Sequence, residues 1–460
     1  MAVENSTAQY IAEVVKSQRD CFREGVTLDI SFRKEMLRQL YKTLRKWEKP
    51  LAEALWKDLH KSYKEAFLTE FSIVYTEIKL HLKELRKWAK EEQHPTPLKL
   101  FPAHSRTIAE PLGNTLIIAP WNYPVQLLLN PLVGAISAGC TAILKPSPYT
   151  PNVALVLEQM IESAFHDRYI AIVQGNREVN AELLSHRFDL IFFTGSPTLG
   201  REVMSAAAKN LTPVVLELGG KSPCIVDKDA EIKLAAKRIA WGKSLNAGQT
   251  CIAPDYLLVH SSIKESFVAE LQKQFKELLG NDPQKCEHFG RIVNNRAYQR
   301  LTSYLDNGTI RFGGAIDPEE RYIEPTLLDN VAPDAPVMQE EIFGPILPLL
   351  TFETSEEAIR FVQNREKPLA LYYFGSTTKA KQVLRHTSSG GACVNDVVMH
   401  IANENMPFGG VGNSGMSSYH GRASFEVFSH RKSILRTSTK VDLPFRYMPY
   451  RWLWLAKHLL

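Results

Sequence analysis

Apolar residues recur at helical spacing through the first 94 residues, as in Phe32, Met36, Leu40 and Leu44. This spacing predicts two or three amphipathic helices, the first of which begins after a capping pair at positions 6 and 9. Further along the chain, short apolar runs alternate with segments of helical length. The predicted strands are 141–144, 169–173, 190–193, 214–216, 224–226, 256–259, 346–352 and 371–375. Such alternation is typical of an α/β fold with doubly wound parallel sheets.

Prolines decide how the most apolar segment is interpreted. The 34 residues between Glu110 and Lys145 carry no charge, and by length alone they would suit a membrane span. Pro120, Pro124 and Pro131 interrupt them. We therefore expect a buried strand, a turn, a helix and a second strand in this segment.

Composition and charge narrow the class of protein. The 460 residues are enough for two to three domains, and 44% hydrophobic and 23% charged residues are average for a globular chain. The six cysteines include no C-x-x-C pair, so we expect a reducing, cytoplasmic compartment and neither disulfides nor a metal site. The last thirty residues hold seven Lys and Arg against one Asp, which accounts for the net charge of +5. Nucleic acid is therefore not a predicted partner.

Three side chains are candidates for chemistry, and each has a structural alternative. Cys251 follows a loop of small residues, where a thiolate would be a nucleophile, although a buried thiol that only packs is the commoner case. Glu217 ends an apolar strand, either as a general base or as an acceptor for backbone N–H groups. Asn122 lies between Trp121 and Tyr123, where its amide would either stabilise an oxyanion or shape a turn.

Two further strand ends are candidates for cofactor binding. The strand at 190–193 runs into Gly195, Ser196 and Gly200, and a helix start of this kind suits a phosphate group. The same residues also fit an ordinary turn, because they lack the G-x-G-x-x-G spacing. Lys145 ends another strand, where a lysine contacts ribose or phosphate or, more commonly, is solvated.

Seven segments, taken in order, resemble the motifs of the aldehyde dehydrogenase superfamily over nearly the full chain. They are 120–124, 145–147, 194–200, 217–220, 248–251, 341–345 and 407–415. The segments 395–400 and 415–421 are similar to those of the class 3 branch, which includes the fatty aldehyde dehydrogenases. The resemblance implies a Rossmann-type dinucleotide-binding domain, an α/β catalytic domain and a small bridging β-sheet.

The resemblance also implies a role for each candidate residue. Cys251 would attack the aldehyde, Asn122 and the Cys251 N–H would hold the oxyanion, and Glu217 would activate the water that hydrolyses the thioester. The implied cofactor-binding residues are Lys145, Gly195, Ser196, Gly200, Leu218, Glu341 and Phe343. Tyr123 would border the substrate.

The predicted activity is NAD- or NADP-dependent oxidation of medium- or long-chain aliphatic aldehydes, and also of aromatic ones, to carboxylic acids. Many members of the superfamily carry a glutamate for the adenosine ribose where this chain has Pro148. Without that carboxylate a 2′-phosphate meets less repulsion, so we expect NADP to be used alongside NAD. Two alternatives are a cofactor-independent cysteine esterase or thioesterase, and an inactive scaffold or membrane-associated protein on the same fold.

The predicted domain organisation follows the superfamily. The dinucleotide-binding domain is assigned to 1–86 and 107–216, the catalytic domain to 217–416, bridging segments to 87–106 and 417–442, and a tail to 443–460. In this branch the bridging sheet joins two subunits, so we expect a homodimer. The tail mixes cations with tyrosine and tryptophan. It either covers the partner subunit or active site, or lies on a membrane surface, and both alternatives stay open.

Overall fold

A computed structural model describes residues 3–442 and 446–459 of the chain. Part of the predicted tail, residues 443–445 and Leu460, lies outside the described residues.

The described residues begin with four helices, after which strands and helices are interspersed. The α-helices are α1 (Ala8–Arg23), α2 (Ile30–Leu59), α3 (Tyr63–Ala66), α4 (Ser72–Trp88), α5 (Gln126–Ala138), α6 (Pro151–Glu162), α7 (Arg177–Ser185), α8 (Pro197–Ala208), α9 (Ile232–Ser244), α10 (Lys264–Leu279), α11 (Asn295–Thr302), α12 (Pro336–Gln339), α13 (Ser355–Gln363), α14 (Thr377–His386), α15 (Arg422–Val427) and α16 (Leu453–Leu459). The strands are β1 (Glu92–His94), β2 (His104–Pro111), β3 (Asn114–Ile118), β4 (Thr141–Lys145), β5 (Ile170–Ile172), β6 (Leu190–Gly195), β7 (Val214–Leu218), β8 (Pro223–Val226), β9 (Tyr256–His260), β10 (Thr309–Phe312), β11 (Ile316–Asp317), β12 (Tyr322–Ile323), β13 (Thr326–Asp329), β14 (Ile346–Phe352), β15 (Ala370–Phe374), β16 (Gly391–Val394), β17 (Gly415–Met416) and β18 (Ser429–Arg436).

Two large sheets form the framework. The first has the order β17-β7-β6-β3-β4-β5, in which only β17 is antiparallel to its neighbour. The second has the order β10-β13-β14-β9-β8-β15-β16, in which only β10 is antiparallel. These sheets confirm the predicted α/β fold. A third, antiparallel sheet has the order β1-β2-β18 and matches the small sheet expected from the resemblance; the domain boundaries stay predictions.

The predicted strands are all present, with ends that differ by at most two residues. The predicted capping pair is wrong in detail, because Thr7 caps α1 by accepting a hydrogen bond from the backbone N–H of Tyr10 at 3.2 Å. Ser6 instead accepts from the N–H of Gln174 at 3.0 Å and so ties the N-terminal segment to the loop after β5. Pro131 does not interrupt its segment but lies within α5.

The helix α5 owes its apolar sequence to burial within the protein. All of its residues are buried, and it connects β3 to β4 beneath the first sheet. Among the described residues, no helix is long and apolar enough to cross a bilayer.

The topology brings the candidate residues to one place. The strands β3, β6 and β7 are parallel neighbours, so the segments that follow their carboxyl ends lie along one edge of the first sheet. The chain then passes from β7 through Gly219 and Gly220 into β8 of the second sheet. A ligand site between the two sheets is the expected consequence.

Candidate active site

A cavity of about 1200 Å³ lies between the two large sheets. It exceeds the usual size of a small-molecule pocket, as a site for a dinucleotide and a second substrate requires. The predicted site residues that line it are Asn122, Tyr123, Gly195, Ser196, Glu217, Leu218, Cys251, Glu341 and Phe343. The structure therefore brings most of the sequence-predicted residues to a single cavity.

Two predicted site residues, Lys145 and Gly200, are not among those that line the cavity. Lys145 is buried, and its Nζ donates to the carbonyl oxygen of Pro146 at 2.8 Å. Burial lowers the pKa of Lys145 to about 8. Gly200 lies in α8 against Leu218, where a Cβ would come within 2.8 Å of a leucine methyl group. Gly200 thus lets α8 approach the end of β7.

The loop before Cys251 has an unusual backbone. Three consecutive residues, Asn246–Gly248, adopt left-handed φ angles of 50°, 52° and 74°. The side chain of Gln249 holds this loop by donating to the carbonyl oxygens of Asn246 and Arg291, both at 3.0 Å. Such strain persists only where the surroundings enforce it. The loop therefore has a defined shape that orients Cys251 at the cavity.

Cys251 is half-buried, and its surroundings favour the neutral thiol. Burial raises its pKa, and the carboxyl groups of Glu341 and Glu217 raise it further. The backbone N–H groups of Cys251 and Ile252 act in the opposite direction, because they stabilise a negative charge on sulfur. The same N–H groups suit a negative charge that develops next to the sulfur.

Asn122 is linked directly to the Cys251 loop. Its side chain is buried, and Nδ2 donates to the backbone oxygen of Gln249 at 3.0 Å. Its own backbone oxygen accepts from Asn246 Nδ2 at 2.9 Å. The Asn122 amide nitrogen has two N–H groups, so the bond to Gln249 leaves a second donor for a ligand.

Glu217 is a buried carboxyl group that other residues do not satisfy. It lies in β7 and is 3% exposed, and neither carboxyl oxygen has a hydrogen-bond partner within the described residues. Burial raises its pKa well above the usual range. The alternative role for Glu217, as an acceptor for backbone N–H groups, thus finds no such bond in this part of the chain. A carboxyl group of this kind at a cavity wall fits proton transfer.

Tyr123 is fixed from two sides. Its hydroxyl group lies 2.6 Å from Oγ1 of Thr250, the residue before Cys251, and the centre of its ring is 4.0 Å from Lys61 Nζ. The ring is buried and lines the cavity.

Glu341 and Phe343 form the opposite wall. A Cβ on Gly219 would come within 2.6 Å of the carboxyl carbon of Glu341, so a larger residue here would displace this side chain. Burial raises the pKa of Glu341 to about 8. The ring of Phe343 meets that of Trp121 edge to face at 5.3 Å. The two walls are therefore in contact at this point.

Sequence reasoning missed the residues that hold these loops. Lys221 pairs with Asp255 and donates to the backbone oxygens of Val337 and Glu340 at 2.8 and 2.9 Å, which fixes the segment before Glu341. The buried pair Lys61–Glu70 lies behind Asn122. The sequence gives little indication of that pair, because both charged residues lie in a region of amphipathic helices, where such residues ordinarily face solvent.

The comparisons with known proteins agree with this site. Residues 1–434 match the Aldehyde dehydrogenase family, and the chain belongs to that family. Its relatives include human "Aldehyde dehydrogenase family 3 member B1", 45% identical over 442 residues that cover 95% of this chain and 94% of the relative. The predicted class 3 resemblance is confirmed.

Further relatives carry more specific names. The "4,4'-diaponeurosporen-aldehyde dehydrogenase" of Staphylococcus aureus is 50% identical over 433 residues and 94% of each chain. The rat "Aldehyde dehydrogenase, dimeric NADP-preferring" is 45% identical over 92% of this chain and 94% of the relative. The structure titled "Substrate bound state of Staphylococcus Aureus AldH" superimposes with a TM-score of 0.95 at 47% identity, covering 97% of this chain and 98% of the other. Oxidation of aldehydes with NAD or NADP follows from this membership.

Proposed function

We propose that Cys251, Asn122 and Glu217 carry out this oxidation, with release of a free carboxylic acid. The observation that supports the proposal is their convergence on one cavity: a thiol, an amide donor and a buried carboxyl group without a partner among the described residues. Each group has the chemistry that its step requires.

In the first step, the Cys251 thiol gives up its proton to solvent water, and the sulfur attacks the aldehyde carbon. The new C–S bond moves the carbonyl electron pair onto oxygen, where the Asn122 amide and the Cys251 N–H donate hydrogen bonds to it. When bound, the nicotinamide cofactor would accept the hydride from that carbon. The carbonyl forms again as the C–H bond breaks, which leaves a thioester on Cys251. Glu217, in its ionised form, then takes a proton from water as that water attacks the thioester carbon. The C–S bond breaks, and the sulfur regains its electron pair.

The residues beside α8 fit a dinucleotide. Gly195 and Ser196 stand at the start of this twelve-residue helix, where the positive end of the helix dipole favours phosphate. Thr194 Oγ1 is buried at the cavity and has no hydrogen-bond partner within the described ranges. We assign the phosphates to this end, and the nicotinamide ribose and ring to Glu341 and Phe343. Leu218 lies between these two parts of the cofactor. The roles of Gly200 beside the phosphates and of Lys145 beside the adenosine ribose stay predictions.

Apolar side chains favour medium- and long-chain aldehydes as substrates, with aromatic aldehydes as further candidates. The apolar residues of the cavity wall include Leu68, Ile73, Leu127, Trp241, Leu245 and Met399. Each buried methylene group adds about 0.8 kcal/mol of transfer free energy. We therefore expect kcat/KM to rise with chain length from propanal to dodecanal. Equal values across the series would contradict this substrate class.

For the assembly we propose a homodimer in the cytoplasm. The outer strand β18 of the small sheet is largely exposed, and one relative is named "dimeric". The tail continues beyond this strand with exposed Tyr447, Trp452 and Trp454 beside Arg451. For the tail, the partner subunit and a membrane surface remain the two alternatives. Liposome flotation of the full chain and of a chain that ends before Leu443 separates them: equal recovery in the soluble fraction excludes the membrane.

The test of the site uses reduced-nicotinamide formation with dodecanal. Cys251→Ala is expected to abolish turnover, and Asn122→Ala is expected to lower kcat about 10²- to 10³-fold, as removal of an oxyanion donor does. Ester hydrolysis without added nucleotide, together with no nucleotide reduction, would favour the cysteine hydrolase alternative. Full activity of Cys251→Ala would contradict the proposed site.

A further inference from the structure

A fully buried ion pair lies directly behind the proposed oxyanion-binding amide. Lys61 Nζ is 2.7 Å from Glu70 Oε1, and both side chains have no exposed surface. Withdrawing two charges from water is costly, and a buried pair seldom adds net stability over apolar residues of similar size. A pair retained at such depth therefore points to a role other than stability.

The lysine has a second contact, which reaches the active site. Lys61 Nζ also donates to the backbone oxygen of Asn122 at 3.0 Å. The ammonium group thus shares the Asn122 backbone oxygen with Asn246 Nδ2 of the Cys251 loop, which donates to it at 2.9 Å.

The glutamate fixes the other end of the same turn. Glu70 Oε2 accepts hydrogen bonds from the backbone N–H groups of Val125 and Gln126 at 3.0 and 2.9 Å. These donors belong to the first turn of α5, where a carboxylate is favourably placed against the helix dipole. The ion pair therefore joins the beginning and the end of the turn 122–126.

A neighbouring acid on the same segment reaches the Cys251 loop. Glu65 Oε1 accepts from the backbone N–H of Asn246 at 2.7 Å, at the first left-handed residue of that loop. One segment, residues 61–70, thereby holds both loops whose relative position sets the distance between the Asn122 amide and Cys251 Sγ.

We propose that Lys61, anchored by Glu70, is a positioning residue that orients the Asn122 amide toward the oxyanion. Lys61 touches neither substrate nor cofactor in this role, which depends on the oxyanion-binding function proposed for Asn122. Since a catalytic group must be held within about 0.5 Å of its productive position, loss of the lysine is expected to act on the rate rather than on nucleotide binding.

The test is a double-mutant cycle between Lys61 and Asn122 in the full-length enzyme. We expect Lys61→Met to lower kcat roughly ten- to a hundredfold, below the effect of removing the donor itself, and to leave the KM for NAD within about twofold. In the Asn122→Ala background, Lys61→Met is expected to lower kcat by less than about twofold, because the amide that Lys61 positions is gone. An equal loss in both backgrounds, or a Lys61→Met enzyme with wild-type kcat, would overturn the proposal.

A second variant separates positioning from folding. Lys61→Met leaves the Glu70 carboxylate buried without its cation, so the double variant Lys61→Met/Glu70→Gln removes both charges and keeps an acceptor for the α5 N–H groups. We expect its melting temperature to return toward that of the wild type, while kcat stays low. Recovery of kcat together with stability would assign the pair a purely structural role.

Matched controls keep the outcomes distinct. Lys264→Met breaks the Lys264–Asp329 pair, 2.8 Å apart and away from the cavity wall, and is expected to lower stability with kcat unchanged. If Asn122→Ala itself turns over at the wild-type rate, the oxyanion role of Asn122 fails. If only the Lys61 variants keep the wild-type rate, the proposed function stands and the positioning role of Lys61 is wrong.

Discussion

Gly248 is the point where the Cys251 loop touches the loop that carries Phe343. Its φ is +74°, and a Cβ on it would lie 2.6 Å from the carbonyl carbon of Gly344 and closer still to the oxygen. Carbon atoms in ordinary contact are about 3.5 Å apart, so Gly248→Ala must separate the two loops by about 1 Å. The left-handed backbone adds roughly 1–2 kcal/mol of strain for any residue with a Cβ.

The displacement acts on both walls of the site at once. A misplacement of about 1 Å costs about a hundredfold in rate when it separates reacting groups, and we expect this loss in kcat for Gly248→Ala. The assay is reduced-nicotinamide formation with a saturating aldehyde, combined with thermal unfolding.

Gly280 provides a matched control. Its φ is +82°, similar to that of Gly248, but a Cβ there would meet nothing within 4 Å. Gly280→Ala is therefore expected to lose some stability from backbone strain and to keep the wild-type kcat. A Gly248→Ala enzyme with kcat within threefold of the wild type would refute the proposed contact between the two loops.

Three further predictions concern charge. Glu217→Gln is expected to release about one equivalent of reduced nicotinamide per site and then stop, which stopped-flow absorbance measures. Wild-type turnover is expected to rise with pH above the ordinary range of a carboxyl group, because burial raises the Glu217 pKa and only the ionised form accepts a proton; continued turnover of the variant, or a flat pH profile, would count against this. The folded-state pKa of Glu341, about 8, is above its ordinary value of 4.5, so the stability contributed by its protonated form is full below pH 4.5 and lost as the pH rises through 8. Glu341→Gln should remove that slope from thermal unfolding, and an unchanged slope would disprove it. Pro148→Glu is expected to lower kcat/KM for NADP at least tenfold, with little change in kcat/KM for NAD. Equal effects on both nucleotides would contradict the prediction that position 148 faces the adenosine ribose.

Most strands of the two large sheets could be predicted from the sequence because they are short, continuous apolar runs buried on both faces. The strands β10, β13, β16 and β17 were not predicted, and β10 and β16 are largely exposed or half-buried. β14, at 346–352, is predicted to the residue. The cap of α1 could not be predicted as securely, since Ser6 and Thr7 both suit an N-cap and a tertiary contact to Gln174 decides between them. The prediction that Pro131 interrupts its segment is wrong, because this proline lies within the fully buried helix α5, whose packing outweighs the cost of a proline in a helix.

The candidate site could be predicted only where motifs carry it. Cys251, Glu217 and Asn122 each had a structural alternative when taken singly, and their order along the chain, rather than any one of them, identified them as a set. Lys61 and Glu70 escaped prediction, because charged residues in an amphipathic helical region ordinarily face solvent. Their burial depends on the docking of residues 61–70 against the turn before α5, which is a tertiary contact.

The central claim is that Cys251 and its neighbours oxidise aldehydes with a nicotinamide cofactor. The measurement that tests it most directly is reduced-nicotinamide formation from propanal, hexanal, dodecanal and benzaldehyde, with NAD and NADP in parallel and Cys251→Ala as the control. We expect a cysteine-dependent signal with both nucleotides that increases with aliphatic chain length. A signal that survives in Cys251→Ala, or none with any aldehyde, would contradict the account.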